Sequence, residues 1–166
     1  MEAVVFQKIN NLALNNMWLD TLGIFFAEFF PYVVIISLFF FLFFGFKKYG
    51  QMIVLSLAAA TLSRSFTEII RIMIDRPRPL SENANLLFKL ESSAFPSGHS
   101  AFFFALSTII FSYNKKAGIL FFGFSTLITL SRVYCGVHRP LDILSGFFVG
   151  IVSAVLMIKV FKFLKK

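Results

Sequence analysis

The side chains best suited to chemistry lie in residues 131–142, which read Ser-Arg-Val-Tyr-Cys-Gly-Val-His-Arg-Pro-Leu-Asp. His138 and Asp142 are four residues apart, so a helix with Pro140 in its first turn would let the carboxylate reach one ring nitrogen. The other nitrogen would then be free to attack an electrophile. Arg132 is near enough to hold an anion beside His138. The stretch suits a phosphate ester, although a His and an Asp at this spacing also form ordinary structural pairs.

A second segment carries four ionisable residues spaced four, three and four apart: Arg64, Glu68, Arg71 and Asp75. At 100° per residue they share one face of a helix. Because charged groups are costly against lipid, we expect this stripe to face the interior of a helical bundle. For Arg64 and Glu68 we favour a simple ion pair within the helix.

The stripe is followed by Arg76-Pro77-Arg78-Pro79, where the prolines end the helix and favour an extended chain. The two arginines are therefore held out stiffly, either towards an anionic substrate or towards lipid headgroups.

A third polar stretch, Pro96-Ser97-Gly98-His99-Ser100, comes directly before an apolar run. This order predicts a helix N-terminus at Ser97 and Gly98. Free backbone N–H groups and the helix dipole bind anions there, and His99 would stand beside a bound phosphate. A Ser-Gly pair before a helix is also very common as a plain cap.

The elements that position these residues are membrane helices. Of the 166 residues 58% are hydrophobic, 25 are Phe, and the mean hydropathy is +0.82. We predict an all-α integral membrane bundle that forms a single domain over residues 1–166. The predicted segments are an N-terminal interfacial helix in 1–20, five transmembrane helices near 21–46, 51–75, 99–113, 117–134 and 141–163, and an outer loop over 76–98.

The lysines predict the orientation of this bundle. If five spans alternate, eight of the ten lysines fall on one side, which the positive-inside rule makes cytoplasmic. The three polar stretches then face the extracytoplasmic side. The net charge of +8 is explained by these helix-end lysines and by membrane lipids, and we expect no nucleic-acid partner.

The three polar stretches resemble the three-part motif of the type 2 phosphatidic acid phosphatase superfamily, a family of membrane lipid phosphatases. The matching positions are Arg71 followed after six residues by Arg78-Pro79, then Pro96-Ser97-Gly98-His99, then Ser131-Arg132 followed after five residues by His138 and after three more by Asp142. The family usually has lysine where this chain has Arg71. An arginine keeps the charge and can hold phosphate with two nitrogens.

The resemblance implies a catalytic mechanism. His138 would attack phosphorus to form a phosphohistidine, Asp142 would fix its tautomer, and His99 would protonate the leaving oxygen and later activate water. The phosphate would be held by Arg71, Arg78, Ser97, Gly98 and Arg132. We expect no metal and no other cofactor, because the cluster lacks the several carboxylates of a two-metal phosphatase.

The short polar N-terminal segment, Phe26-Ala27-Glu28 before Pro31-Tyr32, and the five-span body resemble bacterial undecaprenyl-diphosphate phosphatases of the bacitracin-resistance type. This resemblance implies removal of the terminal phosphate at the outer face of the cell (inner) membrane, in cell-wall biogenesis. The alternative substrates are phosphatidylglycerophosphate and phosphatidic acid. The alternative class is a transporter or binding protein for anionic lipids, because a charged stripe in a bundle also marks a substrate path. The oligomeric state is left open.

Overall fold

The fold is known from a computed structural model that describes residues 2–79, 84–90 and 92–165. The described residues form helices and no strands, so the predicted all-α membrane class is confirmed. The helices are α1 (Glu2–Asn10), α2 (Met17–Ile24), a π-helical turn (Phe25–Phe29), α3 (Phe30–Met73), α4 (Gly98–Tyr113), α5 (Lys115–Tyr134) and α6 (Pro140–Leu164).

α3 contains two spans that fold back on each other at Gly45. Gly45 has non-helical backbone angles (φ −120°, ψ 22°). Pro31 and Arg64 line the same cavity, and Leu38 packs in one cluster with Ile53. A straight helix would separate Pro31 from Arg64 by about 50 Å, at 1.5 Å per residue. The chain therefore reverses near Gly45 and returns the charged stripe to the level of the first span.

Four segments are long and apolar enough to cross a membrane: Met17–Phe40, Leu42–Met73, Lys115–Tyr134 and Pro140–Leu164. α4 is shorter, with 16 residues, and ten of these are buried. It packs against α3, α5 and α6 and forms the centre of the bundle. The N-terminus of this central helix is thus surrounded by the ends of the other helices.

The N-terminal segment differs from the interfacial helix predicted for residues 1–20. Helix is present over Glu2–Asn10, and the first span already begins at Met17, where the Asn16 side chain accepts hydrogen bonds from the backbone N–H groups of Trp18 and Leu19. This Asn cap starts the helix four residues before the predicted boundary. In addition, α1 is bound to the end of α5, because Asn10 Nδ2 donates a hydrogen bond to the backbone oxygen of Tyr134 at 2.9 Å.

α6 approaches α4 closely through two glycines one turn apart. A Cβ on Gly146 would stand 2.7 Å from the Ser100 Cβ and would overlap the Ser97 carbonyl oxygen, and a Cβ on Gly150 would overlap the Ala101 carbonyl oxygen. Small residues at such spacing let membrane helices pack backbone to backbone. This contact sets the distance between the N-termini of α4 and α6.

The opposite end of the bundle brings the predicted lysine-rich connections together. Gln51 Nε2 donates to the Tyr113 hydroxyl at 2.8 Å, and Lys165 Nζ donates to Gln51 Oε1 at 3.4 Å. The start of the second span, the end of α4 and the end of α6 therefore share one end, and the three polar stretches lie at the other.

Candidate active site

The structure brings the three polar stretches together at one end of the bundle and joins them through backbone oxygens. Each link runs between two different stretches: Arg71 Nε donates to Pro96 O (3.1 Å), Arg78 Nη1 donates to Val137 O (2.7 Å), and Ser97 N donates to Asp142 O (2.9 Å). Such bonds fix the main chain of each stretch relative to the others. Residues up to 71 positions apart in the sequence are thus built into one polar cluster.

The imidazole of His138 lies in the connection between α5 and α6 and is 1% exposed. Its Nδ1 is 3.6 Å from Asp142 Oδ2, and its Nε2 is 3.4 Å from Arg78 Nη1. Burial, followed by the charges of Arg132 and Arg78, lowers the pKa of His138 well below 6.5. The ring is therefore neutral near pH 7. Nε2 faces the Arg78 guanidinium, and Nδ1 makes no hydrogen bond within the described residues, lying just beyond hydrogen-bond distance of Asp142.

Asp142 is completely buried and is held from two sides. Its Oδ2 accepts a hydrogen bond from the Arg139 backbone N–H at 2.8 Å, as part of a capping box at the start of α6. Its Oδ1 accepts from Arg76 Nη1 at 2.9 Å, and Arg76 Nη2 bonds Glu2 at 3.0 Å. The carboxylate facing His138 is thus immobilised by a chain of charges that begins in α1.

Arg132 is 2% exposed and lies at the end of α5. Its Nη1 donates to the Ala27 carbonyl and to Glu28 Oε1, both at 2.9 Å, whereas its Nε is buried and has no hydrogen-bond partner among the described residues. Ala27 precedes Pro31 by four residues, and a proline has no N–H to give to that carbonyl. The π-helical turn before Pro31 thereby offers an acceptor that holds this guanidinium.

Arg78 is held by the outer loop. Its Nε donates to Ser92 O at 2.7 Å and its Nη2 donates to Ser92 Oγ at 3.0 Å. Burial, and then the charges of Arg132 and Arg71, lower the pKa of Arg78 to about 10. It stays protonated at neutral pH. Arg71, Arg78 and Arg132, together with a neutral imidazole, give the cluster a positive charge that is suited to an anion.

The N-terminus of α4 forms one wall of the cluster. Ser97 is the helix cap, with its hydroxyl accepting from Ser100 N at 3.5 Å, and both Ser97 and Gly98 are buried. Gly98 lies directly under Arg64, because a Cβ on Gly98 would be 2.6 Å from the Arg64 Cζ. The absence of a side chain on Gly98 lets the Arg64 guanidinium lie against the N-terminus of α4.

His99 stands in the first turn of α4, with its ring stacked on Phe103 at a centroid distance of 6.3 Å. It lines a cavity of about 290 Å³ together with Arg64, Gly98 and apolar side chains of the first span and α4. His138 and Arg132 lie within electrostatic range of it. All eight predicted site residues are thus placed around the same end of α4.

Sequence reasoning did not predict the ion-pair partners of three residues in the cluster, including Arg76, which bonds Asp142 instead of pointing towards substrate or lipid. Arg76 and Glu2 support Asp142, and Glu28 pairs with Arg132. A charged residue inside an apolar span was a signal for Glu28, because such residues seek a partner within the bundle. Glu2 gave no such signal. The ion pair favoured for Arg64 and Glu68 is present at 2.8 Å, and Arg71 bonds the same Glu68 oxygen at 3.1 Å.

Comparison with known proteins identifies a matching family and several similar proteins. The model of the PAP2 superfamily matches residues 50–166. The chain is 28% identical over 152 residues to the Bacillus licheniformis protein named bacitracin transport permease protein BcrC, covering 90% of this chain and 75% of that protein. It is 24% identical over 161 residues to undecaprenyl-diphosphatase BcrC of Bacillus subtilis, covering 96% of this chain and 83% of that protein.

Two solved structures share the fold. Aquifex aeolicus LpxE superposes with a TM-score of 0.81 at 29% identity, over 95% of this chain and 94% of that one. A transmembrane PAP2-type phosphatidylglycerolphosphate phosphatase from Bacillus subtilis superposes with a TM-score of 0.69 at 26% identity, over 100% of this chain and 89% of that one.

Proposed function

Because the chain belongs to the PAP2 superfamily, whose phosphatases are its relatives, we propose that this membrane phosphatase removes the terminal phosphate of undecaprenyl diphosphate. The observation that carries the proposal is the buried His138–Asp142 pair, enclosed by three guanidinium groups at the N-terminus of α4. A neutral imidazole beside a cationic anion site is the arrangement that phosphoryl transfer to nitrogen requires.

In the first step, Nε2 of His138 attacks the terminal phosphorus. The bond from phosphorus to the bridging oxygen breaks, its electron pair goes to that oxygen, and His99 donates a proton to it. Nδ1 of His138 carries a hydrogen directed at Asp142, and the 3.6 Å gap closes as the ring becomes cationic. Arg78 Nη1, which is 3.4 Å from Nε2, moves onto the incoming phosphate.

In the second step, His99 removes a proton from water, and the water oxygen attacks the phosphohistidine. The bond between phosphorus and Nε2 breaks and returns the neutral imidazole, and inorganic phosphate leaves. The oxygens that gain charge in both steps are stabilised by the cations and N–H groups of the site: Arg71, Arg78, Arg132, Ser97 and the Gly98 amide.

No metal ion enters this proposal. Within the described part of the chain, no three His, Cys, Asp or Glu side chains are grouped as metal ligands would be. In this proposal the negative charges of the substrate phosphate are neutralised by Arg71, Arg78 and Arg132 instead of by a metal. The Asp142 carboxylate already accepts hydrogen bonds from Arg76 and from the Arg139 N–H.

The choice of a polyprenyl diphosphate rests on the relatives and on the position of the site. Undecaprenyl-diphosphatase BcrC of Bacillus subtilis matches nearly the whole chain. The lysine-rich end of the bundle predicts that the site opens on the extracytoplasmic side, at the level where a carrier lipid exposes its diphosphate. The proposed role is therefore recycling of the carrier in cell-wall biogenesis at the bacterial cell membrane, which would also raise resistance to bacitracin.

Phosphatidylglycerophosphate is the second candidate substrate, because a phosphatidylglycerolphosphate phosphatase shares the fold. The test is phosphate release by the purified protein from undecaprenyl diphosphate and from phosphatidylglycerophosphate, with His138→Ala as the control. We expect faster release from the diphosphate, lost in the variant. Faster release from the glycerolipid would replace the substrate, and release from neither would favour an anionic-lipid transporter or binding protein.

A further inference from the structure

Arg64 is a cation near the site that the proposed mechanism does not use. It lies seven residues before Arg71 on the same face of α3, and so deeper in the membrane by about 10 Å at 1.5 Å per residue. Its guanidinium nevertheless reaches the N-terminus of α4, over the backbone of Gly98. Its side chain is 42% exposed and its Nη2 bonds Glu68 at 2.8 Å.

The ion pair with Glu68 does not fully neutralise Arg64. Glu68 is itself half-exposed and its Oε1 is shared, since it also accepts from Arg71 at 3.1 Å. One carboxylate therefore serves two guanidinium groups, and a net positive charge remains. A group of this kind on the wall of a cavity is suited to an anionic ligand.

The cavity beside Arg64 is the one lined by His99. Its volume is about 290 Å³, and the remaining wall is apolar, formed by Pro31, Ile35 and Phe103 among others. In the proposed mechanism His99 protonates the oxygen that leaves. The group attached to that oxygen would then lie beside His99, in the cavity that Arg64 also lines.

The order of groups from the end of α3 into the cavity matches the order of groups in a lipid diphosphate. Arg71 is in the last turn of α3 and Arg78 follows that helix, whereas Arg64 and His99 line the cavity together with mostly apolar side chains. In a lipid diphosphate, the terminal phosphate, the inner phosphate and the hydrocarbon chain follow one another in the same order. A lipid monophosphate has no inner phosphate.

We propose that Arg64 binds the inner phosphate of a lipid diphosphate, the phosphate that stays with the lipid, and thereby selects diphosphates over monophosphates. This inference rests on the proposed function. Arg64 would stabilise the negative charge that reaches the bridging oxygen and its phosphorus when the bond to the terminal phosphorus breaks. The exposed fraction of its side chain makes it available without rearrangement of the buried arginines.

The experiment compares two substrates that differ only in the inner phosphate, farnesyl diphosphate and farnesyl monophosphate. For Arg64→Gln we expect kcat/KM on the diphosphate to fall by about 10- to 100-fold, as for the loss of a charged hydrogen bond. On the monophosphate it should stay within about threefold of the original. Arg64→Lys should recover part of the loss, and Lys116→Gln, at the other end of the bundle, should change neither rate.

The ratio of the two rates is measured within one preparation, so a smaller amount of folded protein does not affect it. A second readout is the inhibition of farnesyl monophosphate hydrolysis by two anions. Arg64→Gln should weaken inhibition by methylenediphosphonate but leave inhibition by inorganic phosphate unchanged. Equal losses on both substrates, or no loss on the diphosphate, would overturn the assignment of Arg64 alone. An unsubstituted protein that releases no phosphate from farnesyl diphosphate would instead overturn the proposed function on which it rests.

Discussion

The distance between α4 and α6 determines the geometry of the site, and Gly146→Ala tests this dependence. Gly146 lies one turn after Asp142, and its backbone faces Ser97 and Ser100 at the start of α4. The same helix ends are tied by two hydrogen bonds, from Ser97 N to Asp142 O at 2.9 Å and from Ser100 Oγ to Ile143 O at 2.7 Å. An added methyl group must therefore push apart the two helices that carry Ser97 and Asp142.

The size of the effect follows from the available space. The new Cβ would be 2.7 Å from the Ser100 Cβ and would overlap the Ser97 carbonyl oxygen. Ordinary van der Waals contact needs about 3.5 Å between carbons, so the helices must separate by roughly 1 Å. Misplacing reacting groups by 1 Å costs about 100-fold in rate, and the overpacking costs about 1–3 kcal/mol of stability. We therefore expect kcat/KM to fall about 100-fold in a protein that is still folded.

The assay is phosphate release from farnesyl diphosphate by detergent-purified Gly146→Ala, with thermal unfolding followed in the same preparation. Gly123→Ala is the matched control, because Gly123 is also in a helix but a Cβ there would meet no atom of the described residues within 4 Å. Both changes gain the same helix propensity, so the difference between them isolates the contact with α4. Near-normal activity of Gly146→Ala would refute the argument that this helix contact positions Ser97 against Asp142.

Three further outcomes are expected. Arg76→Gln removes a charged hydrogen bond from the buried carboxylate of Asp142, worth about 1.5–3 kcal/mol, and should lower kcat by about tenfold or more; an unchanged kcat would show that Arg76 does not position this group. After correction for titration of the free substrate, the acidic limb of kcat/KM should lie below pH 6.5, because the lowered pKa of His138 keeps its imidazole neutral; a limb centred above about pH 7 would contradict this. Phosphate release should be unchanged by EDTA, and inactivation that Mg²⁺ reverses would show that the reaction needs a metal.

Much of the architecture could be predicted because polar residues stand out in an apolar chain. The motif residues lie at helix ends, where Pro77, Pro79 and Ser97 stop or start a helix through local chemistry. Alternation of spans then puts all three polar stretches at one end. The structure shows this arrangement for the described residues, including the approach of His138, just before α6, to Asp142 in the first turn of that helix.

The partners of the site residues could not be predicted in the same way. The pairs Glu28–Arg132 and Glu2–Arg76 join residues 104 and 74 positions apart, and no local pattern specifies which distant charge a buried charge meets. The start of the first span was missed for a different reason. The Asn16 cap lies in a run of polar residues that resembles an interfacial segment.

The N-terminal third of the chain completes the site rather than only anchoring it. Residues 1–49 precede the part of the chain that matches the family model, yet Glu28 and the Ala27 carbonyl hold Arg132, and Glu2 holds Arg76. Charges buried this deeply are costly unless they are paired, so Arg132 and Asp142 depend on these contacts for their positions. The residues proposed to bind phosphate and to attack it are supplied by the family motifs, whereas Glu2, Glu28 and the Ala27 carbonyl, which hold Arg76 and Arg132, come from outside the matched region.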